Sequence, residues 1–177
     1  MSSKDLFLEE IKSQNNKDFD LKNSLDTKSN YLIPISGIVI SLIFGFGITF
    51  LEKIDIKYEL FWAFQMFLII TLVLHLSSLF CAILSFRIRD YRYAFLYYSF
   101  YDKEKMLESK IDEYTEADED DFKNMILREY LKCNYQNSIN NQNKTKWIKI
   151  SQYSLLVGLG CLSVLIAMLF LYPPTFH

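Results

Sequence analysis

Three runs of the chain, residues 31–51, 60–86 and 152–172, contain no Lys, Arg, Asp or Glu. That feature constrains the fold more than any other. A helix rises about 1.5 Å per residue, so 21 residues reach roughly 31 Å, close to the hydrocarbon thickness of a bilayer. The middle run exceeds that length and is expected to tilt or to protrude into the interface. Buried helices of soluble proteins rarely go this far without a charge, because one face usually meets water. Three in 177 residues leave too little polar surface to cover them. The expected class is therefore all-α: a three-span transmembrane helical bundle with a cytoplasmic helical extension.

The remaining composition agrees. With 5 Gly and 3 Pro the chain is poor in loop formers. A formal net charge of −2 argues against nucleic acid as a partner. The chain opens with polar residues, so no cleaved signal peptide is expected. Tyr31, Tyr58, Trp62, Trp147, Tyr153 and Tyr172 stand at or near the run ends, where amphipathic rings suit the headgroup layer.

Lys and Arg orient the spans. Residues 1–30 carry five and residues 87–149 carry twelve, against two in residues 52–59 and none after Tyr172. By the positive-inside rule the N-terminus and the long connection are expected in the cytoplasm, and the C-terminus outside. The expected order is a cytoplasmic helix (1–30), a first span (31–51), a short external loop (52–59) and a second span (60–86). A cytoplasmic helical hairpin (87–149), a third span (152–172) and an external tail (173–177) complete it. The protein is thus expected to be multi-pass in the cell membrane.

Leu8, Ile11, Leu21 and Leu25 recur at helical spacing before the first span, with Asn15 and Asn16 interrupting them. Pro34 costs least near a helix start and otherwise kinks it. The hairpin's first limb is expected to continue the second span. Its second limb is expected to start near Thr115, with Asp118 completing a capping-box-like pair. Phe122, Ile126, Leu127, Tyr130 and Leu131 make its apolar stripe, and it is expected to run on into the third span.

Several residues are candidates for function. Small residues recur every four positions: Gly37, Ser41 and Gly45; Ser77, Cys81 and Ser85; Ser154 and Gly158. Such faces let helices approach closely, either within one subunit or in a homo-oligomer. His75 lies at mid-span, where an ionisable group is a functional candidate. The bland reading is a neutral imidazole bonded to a carbonyl or a nearby serine. Arg87, Arg89 and Arg92, interleaved with tyrosines, suit lipid phosphates, or alternatively a nucleotide phosphate.

Seven acids within residues 112–121 lack the spacing of a calcium loop and read as a solvated helix start. Cys81, Cys133 and Cys161 form no CxxC or Cys/His cluster, so neither metal nor disulfide is expected. No HExxH, GxSxG, Walker A or GxGxxG motif occurs. An enzyme and a cofactor are accordingly not expected.

The segment NSLDTKSNYLIPISGIVISLIFG, residues 23–45, resembles the entry to the first span in small prokaryotic membrane effectors of the Pycsar and SLATT type. There a polar helix ends in an Asp-x-Lys-Ala/Ser-like turn, here Asp26, Lys28 and Ser29. The polar helix of residues 130–147 resembles related small membrane proteins. The resemblance implies a protein that answers a nucleotide signal made on infection by assembling and compromising the membrane. It makes Asp26 and Lys28 candidates; otherwise they are a charge-balanced helix entry at headgroup level. The leading expectation is a non-enzymatic membrane effector in phage defence. The alternative is a membrane-anchored scaffold or accessory subunit that binds a cytosolic protein partner through residues 87–149.

Overall fold

The computed structural model describes residues 3–53, 61–88, 91 and 118–171. Nearly all of these lie in three helices: α1 (Ser3–Lys53), α2 (Phe61–Arg87) and α3 (Glu119–Leu171). No strand occurs among the described residues. All three helices are long and apolar enough to cross a membrane. The chain is an all-α, three-span bundle. α2 ends at Arg87, and Ile88 and Tyr91 are not helical, so the expected continuation of the second span into the hairpin's first limb is interrupted at its start. The rest of that limb, most of the expected external loop, Thr115 and the tail after Leu171 lie outside the described residues.

The ends of the elements follow their sequence. The Asp118 side chain accepts the backbone N–H of Asp121 at 2.8 Å, and its carbonyl accepts that of Phe122 at 2.9 Å. Asp118 is thus the N-cap of α3 itself, where the sequence suggested a partner of a cap at Thr115. An Asp is among the best residues for this position, and Glu119, Asp120 and Asp121 then face the positive helix end. The expected continuity into the third span holds, since α3 is one helix. α1 runs through both Asn15–Asn16 and Pro34, which lies inside the helix.

Burial repeats every seven residues on each helix. In α1 the buried positions include Ile11, Asp18, Leu25 and Leu32, together with Asn15, Ser29, Ser36 and Ile43. In α2 Phe64, Thr71, Ser78 and Ser85 are buried, with His75 and Ala82 beside them. In α3 Asn137, Lys144, Ser151, Gly158 and Leu165 fall exactly one heptad apart, and all are buried. A seven-residue seam is the signature of left-handed supercoiled packing. Here polar residues occupy much of it.

The chain divides into two compact units. One comprises Met1–Leu25 and Ile88–Asn143, and the other Asp26–Arg87 and Lys144–His177. Within the first, Asn134 Nδ2 donates to the Ile11 carbonyl at 3.1 Å, and Asn141 Nδ2 donates to the Asp18 carbonyl at 2.9 Å. Both pairs are offset by the same 123 residues, so α1 and α3 run parallel and in register there. Lys123 bonds both Glu119 (2.7 Å) and Asp5 (3.1 Å), and these carboxylates raise its pKa. Being open to solvent in part, such pairs add little stability.

The second unit is apolar outside and polar inside. Ile38, Leu42, Val73, Phe80, Leu156 and Phe170 are among its exposed side chains, while Ser29, Ser36, Thr71, His75, Ser78, Ser85, Lys144 and Ser151 are completely buried. Water would invert that arrangement; lipid favours it, since polar groups in hydrocarbon must find protein partners.

Candidate functional site

The polar residues of the second unit form layers one heptad apart. In the first layer Ser29 Oγ donates to Ser85 Oγ at 3.2 Å, and Ser85 Oγ donates to the Lys144 carbonyl at 3.4 Å. The buried Lys144 ammonium donates to Asp26 Oδ1, which is partly exposed. Seven residues further on, Ser36 and Ser78 hydroxyls lie 3.1 Å apart and Ser78 and Ser151 hydroxyls 3.0 Å apart. Ser151 Oγ also reaches the Ser78 carbonyl, at 2.8 Å. The register, 29 to 36 on α1, 85 to 78 on α2 and 144 to 151 on α3, sets α2 antiparallel to the other two.

A third layer holds Thr71, His75 and Gly158. Thr71 Oγ1 donates back to the Phe67 carbonyl at 2.7 Å, a bond available to hydroxyls inside membrane helices. His75 Nδ1 lies 2.7 Å from the Thr71 carbonyl. A carbonyl only accepts, so Nδ1 carries the proton and Nε2 presents its lone pair. Nε2 is buried without a partner. The ring lies against Gly158, where a Cβ would sit 2.5 Å from Cε1 and 2.7 Å from Nδ1. Only glycine leaves room for the imidazole.

The fourth layer is apolar. Phe64 and Leu165 are buried together, packed by Phe61, Phe67, Leu68, Leu162 and Met168. From Ser85 to Phe64 is three heptads, or roughly 31 Å of helix, so the polar layers and this cluster together occupy about one bilayer thickness.

The first unit has a different polar interior, made of amides. Tyr91 OH donates to Asn141 Oδ1 at 2.5 Å, which together with the bond to Asp18 fixes both ends of that amide. Lys22 Nζ lies 5.2 Å from the centre of the Tyr91 ring, and Phe19 packs 6.4 Å from it. Asn15 Oδ1, Asp18 Oδ2 and Asn134 Oδ1 are buried acceptors lacking a hydrogen-bond partner. Burial raises the Asp18 carboxyl above the usual range, against the opposing hydrogen bonds of Gln14 and Asn141.

The candidates from sequence separate by position. Cys81, Ser85 and Gly158 are buried and Ser154 is half-buried, whereas Ser77 is exposed. Ser41 and Gly45 are exposed, and a Cβ at Gly37 or Gly45 would meet nothing within 4 Å. Ser41 instead returns its hydroxyl to the Gly37 carbonyl at 2.9 Å. The four-residue stripes are therefore divided between the interior and the outer surface of the unit. Asp26 binds Lys144, and Lys28 is exposed. Arg87 is exposed in the last turn of α2, while Arg89 and Arg92 lie outside the described residues. Among the described residues no cluster of three or more His, Cys, Asp or Glu suits a metal ion.

Sequence reasoning missed Ser29 as a packing residue, and with it Ser36, Ser78, Lys144 and Ser151. The signal was present as a repeat of seven, concealed because polar residues hold the seam.

Over residues 12–172 the chain matches the Pycsar effector protein domain. No curated protein and no solved structure matches it.

Proposed function

Because the chain belongs to the Pycsar effector family, we propose that it is a non-enzymatic membrane effector of antiphage defence, which self-associates and perturbs the bilayer when a nucleotide signal arrives. The observation that carries this reading is the inverted second unit, with hydroxyls and a lysine inside and branched apolar side chains outside. The helices hold one another by hydrogen bonds and close contact, forces that also permit exchange of partners between subunits. On the face bearing Gly37, Ser41 and Gly45 a Cβ at either glycine would meet nothing within 4 Å among the described residues, which leaves room for a second copy to pack closely.

By the positive-inside rule, residues 1–30 and 87–149 face the cytoplasm, where a signal would be met. Arg87 with Arg89 and Arg92 supplies phosphate-binding charge at that side, for lipid or for nucleotide. Induced expression in bacteria, followed with a membrane-potential dye and by crosslinking in membranes, tests the reading. Depolarisation accompanied by crosslinked oligomers supports it. A harmless, monomeric product overturns it. Recovery of a specific cytosolic protein without depolarisation would favour a scaffold instead.

A further inference from the structure

The stacked layers have an ordered chemistry along the second unit. Dipolar hydroxyls occupy the first two layers, an imidazole the third, and aromatic and aliphatic carbon the fourth. If close packing were their sole task, alanine would serve at most of these positions without polar atoms to satisfy. His75 adds an independent sign, because it is completely buried and its Nε2 lone pair has no donor. Such an atom is left over by the closed structure and completed by water or by a proton.

We propose that this column is a latent proton path, shut at its far end by the Phe64–Leu165 plug. A serine hydroxyl both donates and accepts, so each layer can pass a proton along a chain of hydrogen bonds. Adjacent layers are about 10 Å apart, a gap that two or three waters in single file span. At the third layer His75 takes a proton on Nε2, becomes imidazolium, and returns that proton to the next water. No bond other than N–H is made or broken. Transfer along hydrogen bonds moves only protons and needs no passage for a hydrated sodium or potassium ion. Beyond His75 the described residues of the plug, Phe64 and Leu165 with the side chains packed on them, are apolar, and an apolar constriction of this kind closes a path by dewetting. The inference rests on the effector reading only for what opens the plug.

The test uses the full chain in liposomes containing a pH-sensitive dye, with a potassium gradient and valinomycin driving proton entry. The double substitution F64S/L165S is expected to raise proton flux at least about tenfold over the unsubstituted protein. Adding H75L, or S36A/S78A/S151A, is expected to return the flux to baseline. Equal flux from F64S/L165S and the unsubstituted protein overturns the proposal, as does flux that persists after those additions. Leakage of a trapped fluorescent dye alongside protons overturns it too, since that marks general disruption. If F64S/L165S loses helicity by circular dichroism, F64A replaces it, and no increase with F64A is equally fatal. The two readings fail separately: depolarised cells with silent plug variants in liposomes would remove only the proton path, whereas a harmless, monomeric product in cells would remove the effector reading.

Discussion

The two units bury polar residues to different effect. In the second, each interior serine finds a partner on a neighbouring helix, through contacts of 3.0–3.4 Å between α1, α2 and α3. Serines on the lipid side bond their own helix four residues back, as Ser41 does with Gly37 and Ser163 with Leu159. Lipid has no water to complete a polar group, so every hydroxyl must be satisfied from within. In the first unit, Asn15, Asp18 and Asn134 each keep a buried oxygen unpartnered. Such vacancies are tolerable where water can enter, at a cost of about 1–3 kcal/mol each where it cannot. With His75 Nε2 as the exception in the second unit, satisfaction of polar groups tracks the solvent each unit must meet.

The largest effect should come from breaking the charge pair of the second unit. Lys144 is completely buried, and Asp26 neutralises it. Asp26→Ala takes the carboxylate counter-charge from that buried ammonium and should destabilise the protein in detergent by about 3 kcal/mol, seen in thermal or denaturant unfolding. D26N/K144Q removes both charges and should recover most of the loss. If D26A unfolds like the unsubstituted chain, the layer is wetter than its burial indicates.

Glycine substitutions come next and separate the inside of the second unit from its outside. Gly158→Ala drives a Cβ to 2.5 Å from the His75 ring, for an expected loss of about 1–3 kcal/mol. Gly37→Ala meets nothing and should leave monomer stability within about 0.5 kcal/mol. Combining G158A with H75A should restore part of the loss, because the clash then has no second party. Additive effects of the two would mean that the ring and the glycine do not share this contact.

How much of this was legible beforehand depended on the kind of signal. Absence of charge over residues 31–51, 60–86 and 152–172 sufficed for three helices, since bilayer thickness leaves few other solutions. Continuity of α3 through residues 130–147 was also readable, because that segment has neither Gly nor Pro to stop a helix. The interior was harder. Apolar periodicity identifies the face of a soluble helix, yet inside lipid it is the polar residues that mark the inside. Counting small residues by fours found Cys81, Ser85 and Gly158 but joined Ser77 to the first two and ranked the stripe of Gly37, Ser41 and Gly45 beside them, although Ser77, Ser41 and Gly45 are exposed. Counting by sevens joins Ser29 to Ser36 and Lys144 to Ser151. The pairing of Asp26 with Lys144 spans 118 residues, and no local pattern announces it.

Asp18 gives the first unit its own test. Its carboxyl pKa is raised mainly by burial, so between the unfolded and folded pKa values the native state holds more proton than the unfolded chain. Stability therefore falls as pH rises from the ordinary carboxylate range through the folded pKa, and is least favourable above it. Asp18→Asn removes the charge, keeps the shape and should stabilise the unit by about 1 kcal/mol at neutral pH. The gain should shrink as pH falls through the raised folded pKa of the wild-type carboxyl, which then becomes neutral itself. A D18N variant that is less stable at pH 7 would mean that the carboxylate has a cationic or water partner.

The smallest expected effect sharpens the contrast most. Ser36→Ala removes a hydroxyl shared between helices, whereas Ser41→Ala removes one bonded only to its own backbone. Hydrogen bonds between membrane helices are worth about 0.6 kcal/mol on average, so S36A should lower stability by that order and S41A by less. Ser78 meets both Ser36 and Ser151, and S78A should therefore cost more than S36A. The order S78A, S36A, S41A is a sharper criterion than any one value. Equal losses at all three would mean that the layers contribute volume alone, and that their hydroxyls are kept for a purpose other than holding the helices together.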